Sequence, residues 1–305
     1  MQQSRIRSII ISSASAVLGI GLAVAGSQHG WTVGGVPGFA VAVAVVYALQ
    51  WLVFVPAALA KTDRYFDATG SASYIAVTAL LLALAPELSV RDVVLGSMVI
   101  IWALRLGSFL LIRNIRSGGD DRFVEITGDP VRFFSVWSVQ GLWVSLTAAA
   151  AWIAISSNPG NGAARGATWE LWAGLAVWIL GFAIEVTADQ QKTQFKNDPA
   201  NSGKFIRSGL WAVVRHPNYL GEILLWTGVL IVAAPVFIGW QWIALLSPLF
   251  VILLLTRVSG IPLLEAKAKR KWGDDDDYRE YVAHTPKLIP FSRKSAKSRQ
   301  PRTGV

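Results

Sequence analysis

Eight apolar runs dominate the sequence, and each is close to the roughly 20 residues that a helix needs to cross a bilayer. They cover residues 9–26, 38–60, 73–88, 93–112, 133–155, 169–188, 219–237 and 240–256. Hydrophobic residues make up 53% of the chain and charged residues only 15%, which is too apolar for an ordinary soluble domain. We therefore predict an all-α polytopic integral membrane protein with seven or eight transmembrane helices. The first run follows a short basic segment, so a cleaved signal peptide is the alternative for it.

The positions of Lys and Arg predict the orientation of these helices. Segments near membrane spans carry excess positive charge on the cytoplasmic side. With the N-terminus inside, 25 of the 28 Lys and Arg residues fall in inside segments, and only Arg91 and Arg165 fall outside. The remaining one, Arg105, lies within the fourth run. Both termini are therefore expected in the cytoplasm.

No polar segment is long enough to bury a core of its own, so we expect no separate soluble domain. We predict an extra transmembrane helix in residues 1–35, a transmembrane domain in 36–291 and a basic, disordered tail in 292–305. The net charge of +9 arises mainly after Thr256, where an anchor to anionic lipids is favoured over nucleic-acid binding.

Metal and thiol chemistry is not expected. The chain has no cysteine, which excludes disulfides and thiolate ligands. Its histidines, His29, His216 and His284, are far apart in sequence, so we predict no metal site.

The strongest local signal is R-H-P-N-Y-L-G-E at residues 215–222, where a polar loop meets the seventh apolar run. Pro217 suits the first turn of a helix, and the free N–H groups of that turn, with Arg215 and His216, form an anion site. Glu222 lies one turn into the membrane, where a carboxylate is expected to face a partner or a ligand. The alternative is a basic flank that only anchors the helix.

A second group of polar residues continues the sixth run. Glu185, Asp189, Lys192 and Lys196 are spaced by four, three and four residues and therefore share one helical stripe. They could form only a ladder of salt bridges, but Glu185 falls within the apolar zone, where a carboxylate is a functional candidate. Asn201, Lys204 and Arg207 follow, and together these groups could hold a polyphosphate.

Further basic groups come from other predicted helices. Arg113, Asn114 and Arg116 follow the fourth run, and Arg257 follows the last one. These groups could pair with carboxylates such as Glu265. However, basic groups from several predicted helices are expected at the same side of the membrane, and a ligand with several phosphates explains this better. The sequence has no G-x-G-x-x-G after a strand and no Walker loop, so a nucleotide would be held by helices.

These motifs resemble a known family. The sequence G-L-W-A-V-V-R-H-P-N-Y-L-G-E, preceded by E-x-x-x-D-x-x-K-x-x-F-K-N and followed by Y-R-E-Y-V-A-H-T-P-K-L-I-P-F, is similar to the C-terminal domain of steroid 5-alpha-reductases and their bacterial membrane homologues. The resemblance is close over residues 185–291 and looser from residue 63. It implies a helical protein of the bacterial inner membrane that binds NADPH from the cytoplasm and reduces the carbon–carbon double bond of an enone lipid, such as a 3-oxo-delta-4 steroid.

The resemblance also implies a set of cofactor contacts, at positions matching Arg116, Glu185, Asp189, Lys196, Lys204, Asn218 and Arg257. Glu185 replaces an amide of the animal enzymes, Lys196 replaces an arginine, and Gly203 stands where they have a tyrosine. Basic groups favour NADP over NAD, because a 2'-phosphate needs Arg or Lys. Combined with the motifs above, the predicted NADPH-binding residues are Arg113, Asn114, Arg116, Glu185, Asp189, Lys196, Asn201, Lys204, Arg215, His216, Asn218, Tyr219, Glu222 and Arg257.

For catalysis, the family uses a glutamate and a tyrosine to polarise the ketone. Asp67 matches the glutamate, and Trp102 matches the tyrosine, although an indole N–H donates a hydrogen bond but not a proton. Tyr65 is the third predicted catalytic residue, and Tyr74 and Gln140 are further substitutes for the missing tyrosine.

Two other classes of protein stay open. Membrane methyltransferases of the isoprenylcysteine carboxyl or phospholipid type share the motifs R-H-P-x-Y-x-G and Y-x-x-Y-x-x-x-x-P-x-L-I-P. Their cosubstrate, S-adenosylmethionine, has no phosphate to balance so many cations. The pair of adjacent glutamates expected in these enzymes is replaced here by Leu264–Glu265. A non-catalytic lipid-binding or transport protein is the second alternative, although transporters place charge near the midplane. The predicted partners are a lipophilic substrate and membrane lipids, without nucleic acid and with the oligomeric state open.

Overall fold

The structure, a computed structural model, describes residues 2–117, 126–158 and 166–290, with the side chains of 111–117 outside the description. Within these ranges the regular secondary structure is helical apart from one short hairpin. The elements are α1 (Gln2–Gly26), β1 (Thr32–Val33), β2 (Val36–Pro37), α2 (Gly38–Leu59), α3 (Phe66–Leu84), α4 (Val90–Ser117), α5 (Pro130–Ile155), α6 (Trp169–Asn197), α7 (Leu210–Val213), α8 (Pro217–Ala233), α9 (Leu246–Leu253), α10 (Ile261–Trp272) and α11 (Asp276–His284).

The prediction of an all-α polytopic membrane protein is confirmed. Among the described residues, eight helical segments are long and apolar enough to cross a membrane. They correspond to α1 to α6, to α8 with the short turn after it, and to the segment Gly239–Trp272 that contains α9 and α10. Such helices satisfy their own backbone hydrogen bonds, which a bilayer requires.

Helix α3 begins at Phe66, earlier than the apolar run at 73–88 that predicted it. Its first turns are rich in small polar residues, which lowered the hydropathy there. Two hydroxyls of this segment bond to backbone carbonyls one turn earlier, Thr69 to Tyr65 (2.7 Å) and Ser73 to Thr69 (2.7 Å). Polar residues that are satisfied inside the helix can thus extend a membrane span beyond its apolar run.

The last span is not one regular α-helix. It starts as a 3-10 helix at Gly239–Leu245, continues as α9 and then forms a π-helical turn at Leu254–Val258, which contains Arg257 and precedes α10. Both Ser259 and Gly260 direct their N–H groups to the carbonyl of Leu254 (3.0 and 3.4 Å). Single π-turns of this kind occur often at functional sites.

The chain divides into two compact units. The first contains Met1–Trp178 and Trp226–Val251, and the second contains Ile179–Leu225 and Ile252–Val305. In the first unit, α5 is the central helix: it contacts α1, α2, α3 and α4, and its residues 148–151 are all alanines with no exposed surface. Alanine at these positions lets several helices approach the same helix closely.

Some polar side chains inside the first unit form hydrogen bonds between helices. The hydroxyl of Tyr47 donates to the carbonyl of Ser15 (2.6 Å), and the indole N–H of Trp152 donates to the hydroxyl of Thr78 (2.8 Å). A bilayer offers these groups no water, so each pair fixes how two helices are aligned.

The hairpin between α1 and α2 has a two-residue turn. Both turn residues, Gly34 and Gly35, have positive φ (57° and 83°), which glycine adopts without the steric cost that other residues meet. The strands pair Thr32 with Pro37 and Val33 with Val36.

Candidate functional site

The approach to the R-H-P motif is fixed by contacts within the second unit. Gly209 has a positive φ of 60° and precedes the short helix α7. A side chain at Gly209 would meet the amide of Gln191, whose oxygen accepts the N–H of Leu210 (3.0 Å). The indole N–H of Trp211 donates to the carbonyl of Ala188 (3.0 Å), so α7 is held against the end of α6.

The C-terminal segment of the described chain lies against the R-H-P motif. The backbone N–H groups of Arg215 and His216 donate to the carbonyls of Pro286 (2.9 Å) and Lys287 (3.1 Å). Pro217 then begins α8, as the sequence predicted. Two of the three sequence motifs that carried the family resemblance are therefore in direct contact.

Glu265 of α10 contacts side chains of both segments. Its carboxylate lies 2.9 Å from Nη2 of Arg215, 3.0 Å from Nζ of Lys287 and 3.4 Å from Nε2 of His216. The side chain of Arg215 is only 6% exposed and that of His216 only 9%, whereas Lys287 is 51% exposed. Arg215 is therefore a buried cation whose counter-charge is Glu265, and we call these four residues the Glu265 cluster.

Two buried atoms of this cluster have no hydrogen-bond partner among the described residues, Nε of Arg215 and Nδ1 of His216. A buried polar atom without a partner costs about 1–3 kcal/mol. Such atoms are expected where a polar ligand completes the hydrogen bonding. The start of α8 is therefore a candidate ligand-binding site.

Burial lowers the pKa of His216 from 6.5 to about 4, and the positive charges of Arg215 and Lys192 add to this effect, while Glu265 opposes it. At neutral pH the imidazole is therefore uncharged. His216 thus adds no positive charge to the field at the start of α8, so the anion site predicted from the sequence would depend on Arg215 and the helix N-terminus.

We predict that the folded protein loses about 2 kcal/mol of stability as the pH falls from neutral to about 5. The unfolded chain takes up a proton at His216 near pH 6.5, whereas the folded chain does so only near 4, so acid favours the unfolded state in this window. The midpoint of thermal unfolding in detergent should fall accordingly. His216→Gln should remove this part of the pH dependence, whereas the exposed His284→Gln should keep it. The same acid slope in the wild type and in His216→Gln would contradict the assignment.

Other predicted cofactor residues of the second unit differ in exposure. Glu185 is buried against α8, where a side chain on Gly221 would come within 2.6 Å of the Glu185 nitrogen. Four others are half-buried, namely Asp189, Asn218, Tyr219 and Glu222. Three are exposed, namely Lys196, Lys204 and Arg257. The side chains of Arg113, Asn114 and Arg116 lie outside the described residues. The buried members of the predicted set are thus Glu185, Arg215 and His216.

Asn201 lines a separate cavity of 410 Å³ in the second unit, between α6 and the loop that follows it. Its amide already donates to the carbonyl of Phe195 (3.2 Å) and to the carboxylate of Asp198 (3.3 Å). Neither Arg215 nor His216 lines this cavity. The amide of Asn201 thus joins the loop after α6 to the end of that helix.

The predicted catalytic residues belong to the first unit. Tyr65 is exposed and directly precedes α3, and Asp67 is half-buried in the first turn of that helix. Trp102 of α4 is 3% exposed, and its ring meets those of Tyr74 (5.1 Å) and Trp226 (4.9 Å) edge to face. Its indole N–H has no hydrogen-bond partner among the described residues. Trp102 therefore presents a hydrogen-bond donor in aromatic surroundings.

The first unit also contains an apolar cavity of 690 Å³ between α1 and α2. It is lined by aliphatic side chains such as Ile20 and Val43 and by the rings of Tyr47 and Trp51. None of the predicted catalytic residues lines it. The cavity has room for part of a lipid, but no chemistry is assigned to it.

Several residues of the site were not predicted from the sequence. The sequence indicates Glu265 only as a pairing partner of basic groups, and it indicates Lys287 and Pro286 only as parts of the C-terminal motif. Tyr281 was also missed: its hydroxyl donates to the carbonyl of Trp211 (2.6 Å), and burial raises its pKa to about 12. The spacing Y-x-x-Y-x-x-x-x-P was the available signal. It places Tyr281 inside α11 and Pro286 just after the end of that helix.

Comparison with known proteins places this architecture in a family. The model of the family described as "Protein of unknown function (DUF1295)" matches residues 53–285. The chain is 29% identical over 123 residues to the steroid 5-alpha-reductase DET2 of Gossypium hirsutum, which covers 40% of this chain and 43% of that enzyme. It is 28% identical over 125 residues to the DET2 enzyme of Arabidopsis thaliana, covering 40% and 42%.

The matched region thus spans less than half the length of these curated relatives. No solved structure gives a significant match. The similarity to the plant enzymes confirms the predicted resemblance to steroid 5-alpha-reductases. Because the family model spans most of the chain, the protein belongs to the DUF1295 family.

Proposed function

We propose that this protein is an NADPH-dependent membrane reductase that acts on the carbon–carbon double bond of a lipophilic enone. The similarity to plant steroid 5-alpha-reductases supports a membrane oxidoreductase of this kind. The observation that carries the proposal is the Glu265 cluster at the start of α8, where buried polar atoms of Arg215 and His216 have no hydrogen-bond partner in the part of the chain that the structure describes. A polar cofactor would supply the hydrogen bonds that these atoms lack.

The residues of the second unit have distinct roles in this proposal. Arg215 and the N–H groups of the first turn of α8 would face anionic oxygens of the cofactor, and Asn218 would add an amide. The exposed Lys196, Lys204 and Arg257 are suited to phosphates that remain in contact with water. When bound, reduced NADPH supplies the hydride.

In the first unit, we propose that Asp67 and Trp102 act on the substrate ketone, with Tyr65 as a further candidate. The N–H of Trp102 is buried without a partner among the described residues, so it is ready to donate a hydrogen bond to a carbonyl oxygen. Such a bond gains strength as negative charge develops on the oxygen, which is how an enolate is stabilised.

The test is to incubate the purified protein with NADPH and a panel of enone lipids and to follow the loss of absorbance of the reduced nicotinamide. Asn218→Ala should raise the Kd for NADPH about tenfold, the effect expected for one lost hydrogen bond. Asn158→Ala is the matched control, because Asn158 is exposed and lies in the first unit. No binding of NADPH by the wild type, together with transfer of label from S-adenosylmethionine to lipid, would replace the reductase by a methyltransferase. No binding of either compound would favour a lipid carrier.

A further inference from the structure

The two nitrogens of the His216 ring have different surroundings. Nε2 lies 3.4 Å from the carboxylate of Glu265, whereas Nδ1 is buried and has no partner among the described residues. The ring stacks on Tyr219, with centroids 5.8 Å apart and planes 11° apart. The backbone N–H of His216 is bonded to Lys287, so both the ring and its backbone are fixed.

The contact with Glu265 determines which nitrogen carries the proton. Glu265 also accepts from Arg215 and Lys287, so it is a carboxylate with no proton to donate. Its contact with Nε2 is therefore favourable only if Nε2 is protonated. An uncharged imidazole has one N–H, which leaves a lone pair on Nδ1.

The charged groups that face His216 are Glu265 of α10, Arg215 beside it and Lys192 of α6. The two cations disfavour a second proton on the ring, and burial has the larger effect in the same direction, lowering the pKa of His216 to about 4. Nδ1 therefore keeps its lone pair at neutral pH and acts as an acceptor.

We propose that Glu265 is a positioning residue that holds His216 with its proton on Nε2, so that Nδ1 accepts a hydrogen bond from a hydroxyl or amide N–H of the bound ligand. The proposal rests on the proposed function in taking that ligand to be a dinucleotide. A fully ionised phosphate has no hydrogen to donate, so Nδ1 does not suit a phosphate. The sugar hydroxyls and the carboxamide of a dinucleotide do have such hydrogens, and Nε of Arg215 offers a donor for their oxygens.

Two substitutions at His216 separate the roles of the two nitrogens. The amide of glutamine reaches approximately the position of Nε2, and that of asparagine approximately the position of Nδ1. His216→Gln should therefore raise the Kd for NADPH about tenfold, and His216→Asn should recover most of that loss, to within about threefold of the wild type. His284→Gln is the matched control, because His284 is exposed on α11. Equal losses in the Gln and Asn variants, or no loss in the Gln variant, would overturn the proposal.

A second measurement shows directly which ring nitrogen of His216 carries the proton. The chain has three histidines, so ¹⁵N-histidine labelling in micelles gives few resonances, and His216→Gln assigns those of His216 by their disappearance. We expect Nδ1 without a proton and Nε2 with one, and Glu265→Gln should give a mixture of both forms. NADPH should shift the Nδ1 resonance. A protonated Nδ1 in the wild type would overturn the assignment.

The two measurements also separate this inference from the proposed function. If the wild type does not bind NADPH, the proposed function fails, and the proton position still tests the role of Glu265. If the wild type binds NADPH but the Nδ1 resonance does not shift, the reductase proposal stands and the ligand contact of His216 is wrong.

Discussion

Glu265→Ala is expected to destabilise the protein by about 3 kcal/mol, the lower end of the cost of breaking a buried ion pair. Arg215 would remain as a cation that is only 6% exposed and has lost its carboxylate. Glu265 itself is 25% exposed, so water would compensate for part of the loss. The change should appear as a lower midpoint of thermal unfolding in detergent and as weaker NADPH binding.

Two further variants test whether the buried charge of Arg215 causes the loss of stability in Glu265→Ala. Lys287→Ala removes a partner that is 51% exposed and should cost less than about 1 kcal/mol. The double substitution Arg215→Leu with Glu265→Leu removes both charges and should cost less than Glu265→Ala alone, because replacing a buried pair by apolar residues is often nearly neutral. If the double variant unfolds at a lower temperature than the single one, the charge explanation is wrong.

The transmembrane helices were predictable because a bilayer demands long apolar runs, and the spans of the structure follow those runs. The start of α3 was not predictable from hydropathy, because the first turns of this helix contain Thr69 and Ser73. The hydroxyls of these residues donate hydrogen bonds to backbone carbonyls one turn earlier. Hydropathy records that a residue is polar but not that its hydrogen bond is made inside the helix. The π-turn that contains Arg257 was also missed, since its apolar composition is the same as that of a regular helix.

For Arg215 and His216, the motif predicted a polar loop that enters a helix with Pro217 in its first turn, and α8 begins at Pro217. The motif did not identify Glu265 as their common partner, because the contact joins residues 49 positions apart in sequence. The charge state of His216 depends on burial and on neighbours that come from other helices. A sequence motif shows which residue stands at which position of a helix. The pKa of that residue depends on its burial and on the neighbouring charges in the folded protein.

Replacement of Gly181 by leucine is expected to have the largest effect on folding, with a loss of more than about 3 kcal/mol. In the second unit, α6 and α8 touch through their backbones: a Cβ on Gly181 would lie 2.5 Å from the nitrogen of Leu225 and 2.6 Å from the carbonyl oxygen of Gly221. Backbone atoms in two helices cannot move aside as a flexible side chain can, so the helices must separate. Small residues allow this close contact in membrane proteins.

This contact also determines where Glu185 lies. A Cβ on Gly221 would be 2.6 Å from the nitrogen and 2.9 Å from the Cβ of Glu185, so the backbone of Glu185 is held directly against the helix that carries Asn218. Separating α6 from α8 should therefore weaken NADPH binding as well as stability. Gly181→Ala should already be destabilising, because its single methyl group occupies the clashing position. Gly21→Ala is the matched control, since a Cβ there meets no atom within 4 Å and alanine favours a helix by up to about 1 kcal/mol. If Gly181→Ala and Gly21→Ala have the same unfolding midpoint, the helices are not in backbone contact, and the position assigned to Glu185 is wrong.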